Sequence, residues 1–333
     1  MSSARNRRTA LIVAALLLAQ LLLVAAFVLP AHKPEPHGVP IGVAGPAPAV
    51  AAAERGLAAR NDAFEVHRYA DATRAQAAIE RREIYGALVP AQRTLLVSSA
   101  ASPAVAQLLA TGAANPAGGG PAAAGPGAEP RVRDVVPIAE ADPRGAAINL
   151  AFLPLIVVCL PLVALLGRLE LSPTRLLAAL AAFAALSGLL VVALIGGALG
   201  ALPGSYLALS AVAALIVLAV ALPTAGFMRV AGPPGIALGA LLFLLIGNPG
   251  SGNATAPELL PGFWRVTGQL LPPGSGGQAL RNVAYFDGHA LAQPLLVLGA
   301  WALLGGVLLL AARRRTPAAR VPERGEPRVA VAA

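Results

Sequence analysis

Hydrophobic positions along this chain fall into long unbroken runs, separated once by a stretch of shorter alternating patterns. Residues 9–30 are almost wholly Leu, Ala and Val, long enough to cross a hydrocarbon core that needs about 20 helical residues. Five more apolar runs follow at 146–166, 176–201, 206–227, 236–247 and 295–312, of which 236–247 is short by the same criterion. Between the first run and the rest, residues 31–145 read differently. Strand-like runs at 41–44, 64–69, 85–89, 94–98 and 131–138 alternate with helical patterns at 48–60, 71–83 and 102–113, which predicts a small α/β unit. Asp71 and Ser102 suit helix N-caps, and Pro48 and Pro103 suit first helical positions. The Gly-, Pro- and Ala-rich residues 115–130 bury too little to offset their ordering entropy and read as a flexible insertion.

Before the last run lies a segment, residues 255–288, that is too polar and too broken to span a membrane. Leu259, Leu260, Phe263, Val266, Thr267, Leu270 and Leu271 keep helical spacing, and Thr255 with Glu258 has the form of a capping box opening that helix. Pro272, Pro273 and Gly274 are expected to break it, with Ser275 capping a second helix that sets Leu280, Val283 and Ala284 opposite Arg281, Asn282 and Asp287. Two short amphipathic or re-entrant helices at the membrane surface are therefore expected within a membrane domain covering 146–312.

Composition agrees with that reading. Of 333 residues 57% are hydrophobic and only 12% charged, too few to cover a soluble globule. The predicted fold is a polytopic α-helical membrane protein of six transmembrane helices, with an extracytoplasmic α/β domain between the first and second. The net charge of +9 lies wholly in segments that would share one side of the membrane: Arg5, Arg7 and Arg8 at residues 1–8, Arg168, Glu170 and Arg175, Arg229, and the basic tail 313–333. The α/β stretch is balanced, with 11 basic and 11 acidic residues. Positive residues mark the cytoplasmic ends of spans, so both termini are expected in the cytoplasm of a plasma-membrane protein with the lipid bilayer as its medium. This distribution leaves no basic surface set aside for nucleic acid. Residues 9–30 exceed the apolar core of a signal peptide and read as an uncleaved anchor.

Candidate chemistry is sparse. No span interior holds Asp, Glu, Lys, Arg or His; the polar residues there are Gln20, Asn149, Ser187, Ser210 and Thr224, which argues against a proton-driven pump. Asp287, His289 and Ser205 lack a nucleophile motif, His32, His37 and His67 lack ligand spacing, and Cys159 stands alone. No enzyme activity, cofactor or metal is expected. Gly196/Gly200 and Gly235/Gly239 have the spacing that lets helices approach closely. Trp264, Tyr285 and Trp301 read as interfacial anchors.

The passage from Ala78 through Ile84, Tyr85, Gly86, Ala87, Leu88 and Val89 to Pro90, together with Leu260, Pro261, Gly262, Phe263, Trp264, Pro272, Pro273, Ala279, Leu280 and Arg281, resembles the permease subunits of type-2 ABC exporters and the related phage infection protein family. The resemblance in topology covers nearly the whole chain. It implies a dimeric export permease for a hydrophobic or amphipathic substrate, with Phe263, Trp264, Arg265, Arg281 and Tyr285 on helices shaping the exit path. ATP would be hydrolysed by a separate subunit, since no phosphate-binding loop motif occurs. The candidate surface for coupling to that subunit is the loop bearing Arg168, Glu170 and Arg175. A non-transporting envelope protein whose outer domain binds a ligand or partner is the alternative.

Overall fold

A computed structural model describes residues 2–32, 35–58, 62–114 and 131–311; the insertion expected at 115–130 and the basic tail at 313–333 lie outside them. A 30-residue helix, α1 (Ser2–Ala31), leads into a five-stranded sheet. The chain order there is β1 (Val39–Ala44), α2 (Ala47–Ala58), β2 (Phe64–Tyr69), α3 (Ala72–Glu80), β3 (Gly86–Val89), β4 (Thr94–Val97), α4 (Pro103–Ala114) and β5 (Arg131–Asp134). Strands stand in the order β2-β1-β3-β4-β5. β1 pairs in parallel with both β2 and β3, which requires the crossover helices α2 and α3. β3 and β4 form an antiparallel hairpin turned at Arg93, whose φ of 49° is left-handed. β5 returns parallel to β4 after α4.

The all-apolar β3 and the nearly all-apolar β1 are covered on both faces. Val39, Ile41, Val43, Leu88 and Leu95 pack with Val50 and Leu57 of α2 and Val105 and Leu109 of α4. On the opposite face Ala87, Val89 and Leu96 meet Ala75, Ala78 and Ile79 of α3. The expected caps form: Asp71 accepts from Arg74 N at 2.9 Å, and Ser102 Oγ accepts from Val105 N at 3.2 Å.

Beyond the sheet the chain is helical. Four stretches are long and apolar enough to cross a membrane: Ala147–Arg168, Pro173–Ala198, Tyr206–Ala231 and Ala292–Ala311. The first is two helices, α5 (Ala147–Val157) and α6 (Cys159–Arg168), because Pro161 can neither donate to Val157 nor avoid its carbonyl. α7 (Pro173–Val192), capped by Ser172, continues in wide π turns through Ala193–Ala198. α8 (Tyr206–Ala231) is the central helix, with 67% of its apolar window buried against 22% to 28% for the other three. α9 (Pro234–Gly239) and the π turns Ala240–Gly247 make a shorter apolar helix, and α12 (Ala292–Ala311) closes the described bundle.

Small residues set the approach of neighbours to α8. A Cβ on Gly188 of α7 would meet the Ser210 carbonyl, one on Gly239 of α9 would meet Thr224, and one on Gly305 of α12 would meet the Leu222–Pro223 backbone. The Gly235/Gly239 pair is therefore a helix contact. Gly200, at φ 64°, instead ends the α7 extension, with only Ala141 near it.

The segment before α12 departs from expectation in its details. Pro257–Leu259 forms one 3-10 turn, and the helix begins only at α10 (Gly262–Gln269), so Thr255 and Glu258 make no capping box. α11 (Pro272–Tyr285) starts at the two prolines, because the first helical positions have no intrahelical use for the N–H that proline lacks. Ser275 is inside the helix, its Oγ donating to Gln269 O at 2.6 Å. α11 is also enclosed on nearly every side. Arg281 and Asn282, expected on a polar face, are 4% and 2% exposed. Its glycines permit this burial, since a Cβ on Gly277 would overlap Asn253 Oδ1 and one on Gly276 would overlap Phe152 and Ile216.

Candidate functional site

The α/β unit sits directly on residues 255–290, and the seam between them gathers the half-buried Arg82, Glu258 and Arg265 with the buried Arg281. Ala256, Leu259 and Phe286 enter the apolar core beneath β1 and β4, in contact with the cluster containing Tyr85. Polar bonds reinforce that join: His37 N to Glu258 O at 2.9 Å, Arg265 Nη1 to His37 O at 2.7 Å, and Ser102 Oγ to Thr255 O.

The end of α3 builds the site's first residue. Glu83 N bonds to Ala78 O at 2.9 Å and Arg82 N to Ile79 O at 3.0 Å, the pairing of a Schellman cap whose left-handed residue is usually glycine. Here that residue is Arg82, at φ 64°. An arginine in this conformation costs roughly 1 kcal/mol. The consequence is a guanidinium turned toward the seam, where it lies 5.0 Å from the Phe286 ring centroid and 5.7 Å from that of Tyr85. Its Nη1 donates to Ala101 O at 3.0 Å and its Nη2 to Gln278 Oε1 on α11.

Tyr85 follows, immediately before β3, and donates its hydroxyl to Glu258 Oε2 at 2.8 Å. Burial first, then the Glu258 charge, raises its phenol above the ordinary tyrosine range. From α11, Arg281 Nη2 donates to Asn253 O at 3.2 Å. Burial, and then the charge of Arg82, pull Arg281 down to about 10, so it keeps its proton at neutral pH.

Together Arg82, Glu83, Tyr85, Glu258, Arg265, Gln278 and Asn282 line an open cleft of about 320 Å³, closed at one side by Gln293 and Pro294 of the last apolar helix. Among the described residues none of Arg82, Arg265 and Arg281 lies within ion-pair distance of a carboxylate, and Glu83 pairs with the exposed Arg81 at 2.9 Å. Asn282 Nδ2 donates to Ala290 O at 3.0 Å while its buried Oδ1 has no partner.

Two apolar clefts lie within the helical part. One, of about 440 Å³, is walled by Phe27 and Pro30 of α1, Leu150 and Leu153 of α5, and the turn 248–255. The other, of about 460 Å³, opens between α5 and α7 and is lined by Leu150, Pro154, Val158, Ser187 and Val191. Leu150 and Pro154 belong to both, so the two clefts adjoin across α5.

The expected exit-path residues are only partly together. Phe263 is exposed on α10 and packs edge-on against Trp264 at 5.4 Å, and Trp264 covers Gly250. Arg265 lines the polar cleft, and Arg281 stands behind it. Tyr285 donates to Ala201 O at 3.4 Å, tying α11 to the turn between α7 and α8. Trp301 donates to Leu270 O at 2.9 Å and meets Phe243 edge-on at 5.2 Å. Arg168, Glu170 and Arg175 are exposed around a tight turn, and Gly167 beside them touches Met228, placing that turn next to the end of α8. Ser205 caps α8 at Ala208 N and His289 bonds to Phe286 O, so Ser205, Asp287 and His289 form no triad.

Arg82, Tyr85 and Glu258 were not singled out by sequence reasoning as site residues. Arg82 sat inside a charged helix end, and Glu258 was explained by the capping pattern. Comparison with protein-family models, with characterised proteins and with solved structures finds no match.

Proposed function

We propose that this chain is a multi-pass plasma-membrane protein of the export-permease kind, moving a hydrophobic or amphipathic molecule with ATP hydrolysed by a separate subunit. The observation that supports this reading is the pair of apolar clefts that share Leu150 and Pro154. They give an apolar molecule a continuous surface from the groove between α5 and α7 to the turn 248–255. Their volumes suit small-molecule sites. In this reading α1 and the short helix Pro234–Gly247 also cross the bilayer, giving six spans, and Gly167–Arg175 faces the ATPase. The described span interiors contain no Asp, Glu or His, which favours an external energy source over ion coupling.

The test is purification of the tagged full chain in mild detergent, with identification of co-purifying proteins and efflux of a fluorescent hydrophobic dye from cells. Recovery of an ATPase is expected, together with slower efflux in a Leu150→Trp variant that fills the shared wall. Recovery of no ATPase in several detergents, with efflux unaffected by the variant, would overturn the reading. The polar cleft at the seam would then favour the second one, an anchored envelope protein that binds a ligand through its α/β unit.

A further inference from the structure

The geometry points to the polar cleft between the α/β unit and residues 255–290 as a binding site for the phosphate head of an anionic amphiphile. This goes beyond the transport reading and does not depend on it.

Charge carries the argument first. Arg82 and Arg265 line the cleft and Arg281 is buried behind it; of the two carboxylates in the lining, Glu83 pairs with Arg81 outside it and Glu258 accepts from Tyr85. Each guanidinium donates to neutral acceptors: Ala101 O and Gln278 Oε1, His37 O, and Asn253 O. Those bonds hold the groups in place without neutralising them. Arg82 feels the charge of Glu258, but Arg281 is buried with no carboxylate within ion-pair distance among the described residues; such a cation is costly, and Arg82 and Arg281 repel each other. Arg82 in addition occupies a left-handed backbone conformation that favours glycine. Two unfavourable features in one open cleft are accounted for if an anion completes it. Planar guanidinium donors match the oxygens of a phosphate.

Position supplies the amphiphile. The cleft reaches Gln293 and Pro294, where the last long apolar helix begins. Beside it α10 and its C-cap expose Phe263, Val266 and Leu270, 64%, 59% and 56% accessible, on one face of the helix, with Arg265 on another. An apolar stripe beside a cleft lined by Arg82 and Arg265 fits a chain lying along α10 with its head group inside.

The experiment measures lipid binding by the full chain in nanodiscs, with phosphatidylglycerol against phosphatidylcholine, and with soluble glycerol phosphate as competitor. Wild type is expected to retain phosphatidylglycerol preferentially, with affinity falling as salt rises. Arg82→Asn, which keeps a residue tolerant of the left-handed conformation, should weaken binding about tenfold while leaving the unliganded melting temperature within a few degrees. Glu258→Gln keeps an acceptor for Tyr85 but removes the opposing charge, and should tighten binding several-fold. Competition by glycerol phosphate would support the site with a soluble phosphate ester as its ligand, and no competition would support it with the lipid as ligand. Equal retention of both lipids by wild type, or unchanged binding in Arg82→Asn and Glu258→Gln together, would overturn the proposal. No ATPase is present in the assay, so its result stands apart from that of the transport test.

Discussion

The hydroxyl of Tyr85 donates to Glu258 at 2.8 Å, joining the residue just before the sheet's β3–β4 hairpin to a turn 173 positions later that leads into the last helices. Phe286 packs beside them in the same apolar cluster as Tyr85. The α/β unit is therefore seated on the helical part rather than suspended from it.

Tyr85→Phe removes the donor and leaves a partly buried carboxylate with one fewer partner. Hydrogen bonds to charged groups contribute about 1.5–3 kcal/mol, so a loss of that order is expected. Chemical unfolding of the detergent-solubilised protein checks it. Faster protease cleavage at the seam than at the loops of the sheet would place the loss there.

Alkaline pH should act through the same residue. Folding raises the Tyr85 phenol above its ordinary value near 10, so above that pH the unfolded chain releases a proton that the folded chain keeps. Stability from this source is complete below about pH 10 and falls as pH rises beyond it. Arg281 works in the opposite sense: its folded value of about 10 lies below the ordinary arginine range, so stability from this source rises as pH climbs from about 10 toward that range. The difference between wild type and Tyr85→Phe isolates the tyrosine, and the variant should show the shallower alkaline decline.

Glycine substitutions should divide sharply. Gly268→Ala would drive a Cβ into the Gly250 carbonyl and Gly277→Ala into Asn253, both against buried backbone or a tightly held side chain. Overpacking of this kind costs about 1–3 kcal/mol or more, and folded yield should collapse. Gly299→Ala and Gly306→Ala on α12 meet nothing within 4 Å and should be neutral or slightly stabilising. Fluorescence-detected size exclusion of the four variants decides the point.

Much of the α/β unit was legible because its signals are local. Alternation, the caps at Asp71 and Ser102, and the all-apolar β3 each specify structure within a few residues. The long spans were legible for the same reason. The cleft was not. Arg82 reaches it only because a helix cap places a non-glycine residue at positive φ, and Glu258 meets Tyr85 only after the sheet has docked. Pro272–Tyr285 misled because proline and glycine normally stop a helix; buried close packing reverses the meaning of both.

Orientation has its own test. Arg93→Cys, at the exposed tip of the hairpin, should react with an impermeant maleimide on intact cells, while Arg168→Cys should react only after permeabilisation. The native Cys159 is fully buried and provides a silent background. The reverse pattern would invert the topology and remove the basis for an outward-facing α/β domain.

The enclosure of α11 has a mechanical consequence. A helix whose glycines touch backbone or side chains on several sides has no slack in which to shift, so it conveys a displacement instead of absorbing it. Gln278 receives the sheet's Arg82 on this helix, and Gly276 bears on Ile216 of α8. Any tilt of the α/β unit is thereby delivered to the central helix of the bundle, and an anion lodged at the seam would stiffen the linkage through which that motion passes.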